Sequence, residues 1–82
     1  MLISVVTAVR NRADTIGGAV ASVQGQGHGE VEHVVQDGAS TDGTVEAVRA
    51  TADARTRLVS EPDGGIYDAI NRGIARATGE VV

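Results

Sequence analysis

Asp37 is the residue on which chemistry could turn. It closes Val34-Val35-Gln36, a β-branched run that stops abruptly, delivers one carboxylate and turns on Gly38 towards a helix opening near Thr41-Asp42-Gly43-Thr44. A parallel sheet uses such a segment to hold a ligand group at the carboxyl end of a strand, where an acidic side chain accepts hydrogen bonds from a base or ribose. The same residues also describe a turn aspartate bonding its own backbone, with Gly38 relieving the tight geometry. For Asp37 by itself the turn is the simpler reading, and Asp42 reads as a helix cap. Arg10 and Arg12 end another apolar run. Their guanidinium groups match a diphosphate, and they serve equally as solvated loop residues.

Asp63 precedes Gly64-Gly65. It is either a ligand-facing carboxylate or the N-cap of the next helix, whose N-terminus favours an anion in both cases. Asp68 and Asn71 lie about one turn apart on that helix, opposite or beside its isoleucine stripe, and read equally as solvated polar residues. His28 in a glycine-rich loop and His33 inside a strand are more readily structural than catalytic. No H-E-x-x-H, P-loop or G-x-S-x-G pattern occurs, and the glycines do not fit G-x-G-x-x-G after a strand. Asp37 and Asp42 lack the spacing of an EF-hand loop.

Composition narrows the classes further. A net charge of −4, with all seven basic residues arginines spread along the chain, excludes a general nucleic-acid binder. No apolar run approaches the ~20 residues of a membrane span. The start Met1-Leu2-Ile3-Ser4 lacks the basic region of a signal peptide, so a soluble, cytoplasmic setting is expected. With 82 residues, no cysteine and Tyr67 as its one aromatic, the chain must pack a small core from valine, isoleucine and alanine.

The elements that position these residues follow from periodicity. Residues 2–9, 31–36 and 57–60 read as strands, the first continuous enough in apolar residues to be buried on both faces. Ile16, Ala19, Val20 and Val23 mark a first helix, capped by Asn11 or Asp14; Gly25, Gly27 and Gly29 then make a loop. Val45, Val48 and Ala52 mark a second helix, capped by Thr41 or Asp42. Ile66, Ile70 and Ile74 mark the apolar face of a third, after the breaker Glu61-Pro62-Asp63-Gly64-Gly65. Gly79 is placed as that helix's C′ residue, with Arg72 and Arg76 near its negative end. Glu80-Val81-Val82 begins a fourth strand. This βαβαβα order predicts a three-layer, Rossmann-like α/β fold with a parallel sheet of strand order 3-2-1-4. The first two helices lie on one face and the third on the other. The tips at residues 7–12, 37–40 and 61–65 then converge on one crevice.

Four segments in order carry a more definite signal. They are Ile3-Ser4-Val5-Val6-Thr7-Ala8-Val9-Arg10-Asn11-Arg12, Val35-Gln36-Asp37-Gly38-Ala39-Ser40-Thr41-Asp42-Gly43-Thr44, residues 60–73 with Glu61-Pro62-Asp63-Gly64-Gly65-Ile66-Tyr67-Asp68, and Ala77-Thr78-Gly79-Glu80. The chain resembles the N-terminal, nucleotide-binding part of family 2 glycosyltransferases of the GT-A fold, particularly those of polysaccharide and colanic-acid-like synthesis. The resemblance covers essentially the whole chain. It implies sugar transfer from a nucleotide-diphosphate sugar, usually a UDP-sugar, with Mg²⁺ or Mn²⁺ on the diphosphate. Carried over by motif, Thr7, Ala8, Arg10 and Asn11 line the nucleotide pocket, Asp37 with Gly38 holds the base, and Asp63 to Asp68 lie near the diphosphate. With that company, base binding becomes the better reading of Asp37.

Two departures qualify the resemblance. Arg10 stands where such proteins often have tyrosine. The likeness also stops at Glu80-Val81-Val82, before the family's metal-binding Asp-x-Asp motif and its general base, so neither catalytic residues nor metal ligands are expected here. The expectation is an incomplete GT-A domain over residues 1–82, inactive alone. It would form a homo-oligomer through an exposed sheet edge or face. The alternatives are a non-catalytic nucleotide-binding module and a self-associating structural fragment.

Overall fold

Strand β1 (Ile3–Val9) runs through the middle of a parallel sheet, paired on one side with β2 (Val31–Asp37) and on the other with β4 (Glu80–Val81). β3 (Thr56–Ser60) pairs with the far side of β2, so the order is β3-β2-β1-β4. This computed structural model describes residues 2–25 and 30–81. The glycine-rich loop at 27–29 with His28, and Val82 of the fourth strand, lie outside the described residues. β2 runs one residue further than the apolar run suggests, so Asp37 is its last residue, in register with Val9 and Ser60.

Helices α1 (Ile16–Gly25) and α2 (Thr44–Thr51) cover one sheet face and α3 (Ile66–Arg76) covers the other, as right-handed crossovers require. The first face holds the apolar core: Val9, Ile16, Val20, Val35 and Val48, with Ala47, Ala52 and Leu58 packed against it. α2 is capped by Gly43 at φ 96° with no side-chain bond, so the capping role expected of Asp42 is not filled; Asp42 Oδ1 instead accepts the Thr44 N–H at 3.1 Å in the turn that precedes the helix. Asn11 does not cap α1. Its φ is 52° and its side-chain oxygen accepts the Thr41 N–H at 2.9 Å, so it ties two loops together.

α3 departs most from its periodicity. Ile66 and Ile74 are exposed, at 57% and 44%, and the buried residues are Ala69 and Gly73. The helix lies too close to the sheet for large side chains: a Cβ on Gly73 would fall closer than 3.0 Å to Val6 Cγ1. Gly79 is not a C′ glycine either. α3 ends at Arg76, and extended Ala77 donates its N–H to Gly73 O and Ile74 O. Gly79 is needed where the chain passes Leu2, since its Cβ would lie 2.6 Å from the Leu2 carbonyl oxygen.

The sheet face beneath α3 is polar. Ser4, Glu32 and Gln36 are buried there; Ser4 is in register with Glu32 and Ala8 with Gln36, and the Val6–Val34 pair lies between them. Each buried group has partners. Glu32 accepts from Thr78 Oγ1 and, at 3.0 Å, from Arg57 Nη1; together these hold its pKa below the ordinary carboxylate value, with Thr78 the larger cause. Gln36 donates to Glu61 Oε1 at 3.0 Å and accepts from Arg76 Nε at 3.2 Å.

Candidate functional site

A cleft of about 380 Å³ opens between the carboxyl end of β1 and the N-terminus of α3. Ala8, Val9, Arg10 and Arg12 form one wall, and Asp63, Gly65, Ile66 and Ala69 the other. It lies at the switch point of the strand order, the place where open α/β sheets bind ligands. Arg10 is exposed and has no partner among the described residues; Arg12 spends one N–H on the Asn11 carbonyl at 3.0 Å. The β1 wall is therefore cationic, with donors to spare. Across the cleft, Asp63 Oδ1 accepts the Gly65 N–H at 2.9 Å, and its Oδ2 would lie 2.9 Å from a Cβ on Gly38. Gly38 is thus the close-approach position that seats Asp63 against the tip of β2.

Of the residues singled out by the sequence, the fold brings Ala8, Arg10 and Asp63 into one cleft, with Gly38 immediately behind Asp63. The others sit elsewhere. Thr7 lies on the opposite sheet face, its hydroxyl 2.7 Å from His33 Nε2. Asn11 donates its N–H to Ser40 Oγ at 2.8 Å and serves the loops. Asp68 accepts the Gly64 N–H at 2.7 Å and Arg72 Nε at 3.0 Å. Asp37 has no exposed surface. Its Oδ2 accepts from the Ser40 N–H at 2.9 Å and Ser60 Oγ at 2.7 Å, and its Oδ1 from Ser40 Oγ at 2.5 Å. That is the turn-closing geometry, extended across to β3. Arg12, offered with Arg10 for a diphosphate, also lines the cleft, as do Gly65 and Ile66 from the 63–68 stretch, and Ala69 was not anticipated. Ala69 enters only because α3 presents its small-residue face to the sheet.

The expected anion site at the α3 N-terminus is altered by these bonds. The Gly64 and Gly65 N–H groups, which would greet a phosphate, are already taken by the carboxylates of Asp68 and Asp63. The free donors of the cleft are thus those of the arginine wall. Behind the acidic wall, Glu61 Oε1 is met by Arg76 Nη2 at 2.9 Å, Arg72 Nη1 at 3.1 Å and Gln36 Nε2 at 3.0 Å. Arg76 first, then Arg72, pull the Glu61 pKa down to about 2. Divalent cations need several oxygen ligands. The cleft offers one carboxylate, and no group of three or more potential ligands occurs among the described residues. The residues described therefore do not fit a metal centre.

Switch-point cleft, arginine wall and acidic lip occur together on a Rossmann-like parallel α/β sheet. Residues 4–82 match the profile of glycosyl transferase family 2, and the chain belongs to that family. It is 41% identical over 81 residues to an uncharacterized glycosyltransferase of Mycobacterium tuberculosis, covering 98% of this chain and 31% of that protein. A PGL/p-HBAD biosynthesis glycosyltransferase of Mycobacterium bovis is 35% identical over 95% of this chain and 32% of its own length. Mannosyl-3-phosphoglycerate synthase from Rubrobacter xylanophilus shares the fold, with a TM-score of 0.83 at 24% identity over 99% of this chain and 29% of that one. The chain thus spans about a third of the length of the curated relatives it matches. Among the described residues no helix is long and apolar enough to cross a membrane.

Proposed function

We propose that residues 1–82 form the donor-binding part of a glycosyltransferase. The transferase moves a sugar from a nucleoside-diphosphate sugar, UDP-linked, to an acceptor hydroxyl in cell-envelope or polysaccharide glycan synthesis. The observation that carries this is the two-signed cleft: an unpaired Arg10 beside Arg12, facing Asp63 at the switch point. Guanidinium groups there hold the diphosphate and stabilise the charge that builds on it as the glycosidic bond breaks. Asp63 accepts from hydroxyl or imide N–H donors of the nucleotide. The name of the Mycobacterium bovis relative, a PGL/p-HBAD biosynthesis glycosyltransferase, supports a biosynthetic transfer.

The divalent ion expected with such donors would neutralise the diphosphate, but the residues described do not form its cage, and no step here depends on it. Asp63 is the single carboxylate on the cleft and is engaged by Gly65, so this chain is expected to bind donor without transferring sugar. Exposed Ile66, Tyr67 and Ile74 on α3 favour association with a second copy, which light scattering tests. Titration of the purified chain with UDP, with and without Mn²⁺, tests the donor reading. Weak binding that ignores Mn²⁺ is expected. Tight Mn²⁺-dependent binding, or sugar transfer from a UDP-sugar, contradicts this account, and no binding favours a structural module.

A further inference from the structure

Arg72 is absent from the cleft, yet it joins both ends of the cleft's acidic lip. The lip is the loop between β3 and α3. It begins at Glu61, whose N–H is anchored on the Asp37 carbonyl at 2.9 Å, and ends at Gly64-Gly65. Arg72 Nη1 lies 3.1 Å from Glu61 Oε1, at the start of the loop. Its Nε lies 3.0 Å from Asp68 Oδ2, the same oxygen that accepts the Gly64 N–H at 2.7 Å, at the loop's end. Arg76 also meets Glu61, but its remaining bond goes to Gln36 and not to the lip. One planar fork therefore spans the loop that carries Asp63. We propose that Arg72 is a positioning residue for donor binding, clamping the Glu61–Asp68 loop so that Asp63 and Gly65 face Arg10 and Arg12.

This inference rests on the donor reading of the cleft. Its physical logic is preorganisation. Each of the Arg72 pairs is 30–41% exposed and so contributes little to global stability. A loop that must be ordered on binding, however, loses affinity by the cost of ordering it. The fork matters as well as the charge, because one lysine ammonium cannot serve both carboxylates in this geometry.

The test compares Arg72→Gln, Arg72→Lys and Asp68→Asn with a control, Arg57→Gln, which breaks the Glu32 pair on the same sheet face away from the cleft. Gly64 amide hydrogen exchange, UDP affinity and Tm are measured on each full 82-residue chain. Arg72→Gln is expected to speed Gly64 exchange and weaken UDP binding, each about tenfold, while lowering Tm no more than Arg57→Gln does. Arg72→Lys should fall close to Arg72→Gln. Asp68→Asn keeps an acceptor for Gly64 and should show the weakened binding even if Arg72→Gln fails to fold. Wild-type exchange and affinity in Arg72→Gln overturn the proposal, as does equal weakening in Arg57→Gln. If the wild-type chain binds neither UDP nor GDP, the donor reading fails and the positioning role with it. Accelerated Gly64 exchange would then record a clamp without a ligand.

Discussion

The seating of α3 on the sheet makes the sharpest prediction, through Gly73→Ala. On an isolated helix this change stabilises by about 1 kcal/mol, because alanine costs less backbone entropy than glycine. Here the added Cβ would lie closer than 3.0 Å to Val6 Cγ1, against an ordinary carbon–carbon separation of about 3.5–4.0 Å. Val6 is β-branched and held in the central strand, so its side chain has few rotamers into which to retreat. The helix must lift instead. Overpacking of this kind costs about 1–3 kcal/mol, and α3 also carries the Gln36 and Glu61 bonds of Arg76, which lifting stretches. The expected net loss is about 1–2 kcal/mol, or roughly 5–10 °C in Tm for a chain of this size.

A double-mutant cycle isolates the clash. Val6→Ala alone should destabilise, but in the Gly73→Ala background it should cost less or even stabilise, with a coupling energy of about 1 kcal/mol or more. Urea unfolding supplies each corner of the cycle. Because Ala69 lines the cleft from the same helix face, the single variant should also bind UDP more weakly. Gly73→Ala at or above wild-type stability, or a cycle with no coupling, would refute the close packing and with it the explanation for the exposed isoleucines.

Three further outcomes separate roles. Asp37→Asn should cost about 2 kcal/mol, since it gives up charge-assisted bonds from Ser40 and Ser60 in a fully buried site; unchanged Tm with lost UDP binding would instead return Asp37 to the base. Arg10→Ala should weaken UDP binding about tenfold with Tm essentially unchanged, because the side chain is exposed and unpaired. His33 is buried with Nδ1 lacking a partner, and desolvation holds its pKa below 6.5. The unfolded chain then takes up the proton first, so the His33 contribution is complete above pH 6.5 and is lost as pH falls below it. A Tm that declines from about pH 8 to about pH 5, with the slope removed in His33→Gln, meets this expectation. A slope that persists in His33→Gln assigns it to other groups.

The elements were readable because they obey two periods. β-branched runs gave the strands, and the 3.6-residue stripe of α1 gave the core positions Ile16 and Val20. The same rule misplaced α3, and the reason is physical. Ile66-Ile70-Ile74 and Ala69-Gly73 are both stripes at a spacing of four, and hydrophobicity alone selects the larger side chains. What decides the orientation is the surface opposite, a sheet face bearing Ser4, Glu32 and Gln36. That face was itself visible as a spacing of four in β2, Glu32 and Gln36 lying on one side, yet with β2 read from its β-branched run alone it carried no weight. Arg10 and Asp63 were found by type and position; Thr7 and Asn11 were placed in the cleft only by motif, and side-chain direction sends both elsewhere.

The Asp37 carboxylate is taken up by the loops that frame the cleft. It joins Ser40, in the loop before α2, to Ser60, at the end of β3. Ser40 Oγ in turn accepts the Asn11 N–H from the loop after β1, and the Asp37 carbonyl accepts the Glu61 N–H. One buried acid thus links three loop tips, the one after β1 that carries Arg12 and the one after β3 that carries Asp63 among them. An asparagine or glutamate there would leave a donor mispaired or shift the tips by a bond length. The cleft depends on their separation, because its two walls belong to different loops and no strand pairing holds them beyond Val9–Asp37 and Asp37–Ser60. Rigid supports of this kind allow a binding site to be held by few direct contacts. Arg10 stays outside this network, while Asp37 and Arg72 brace the loop that carries the opposite wall.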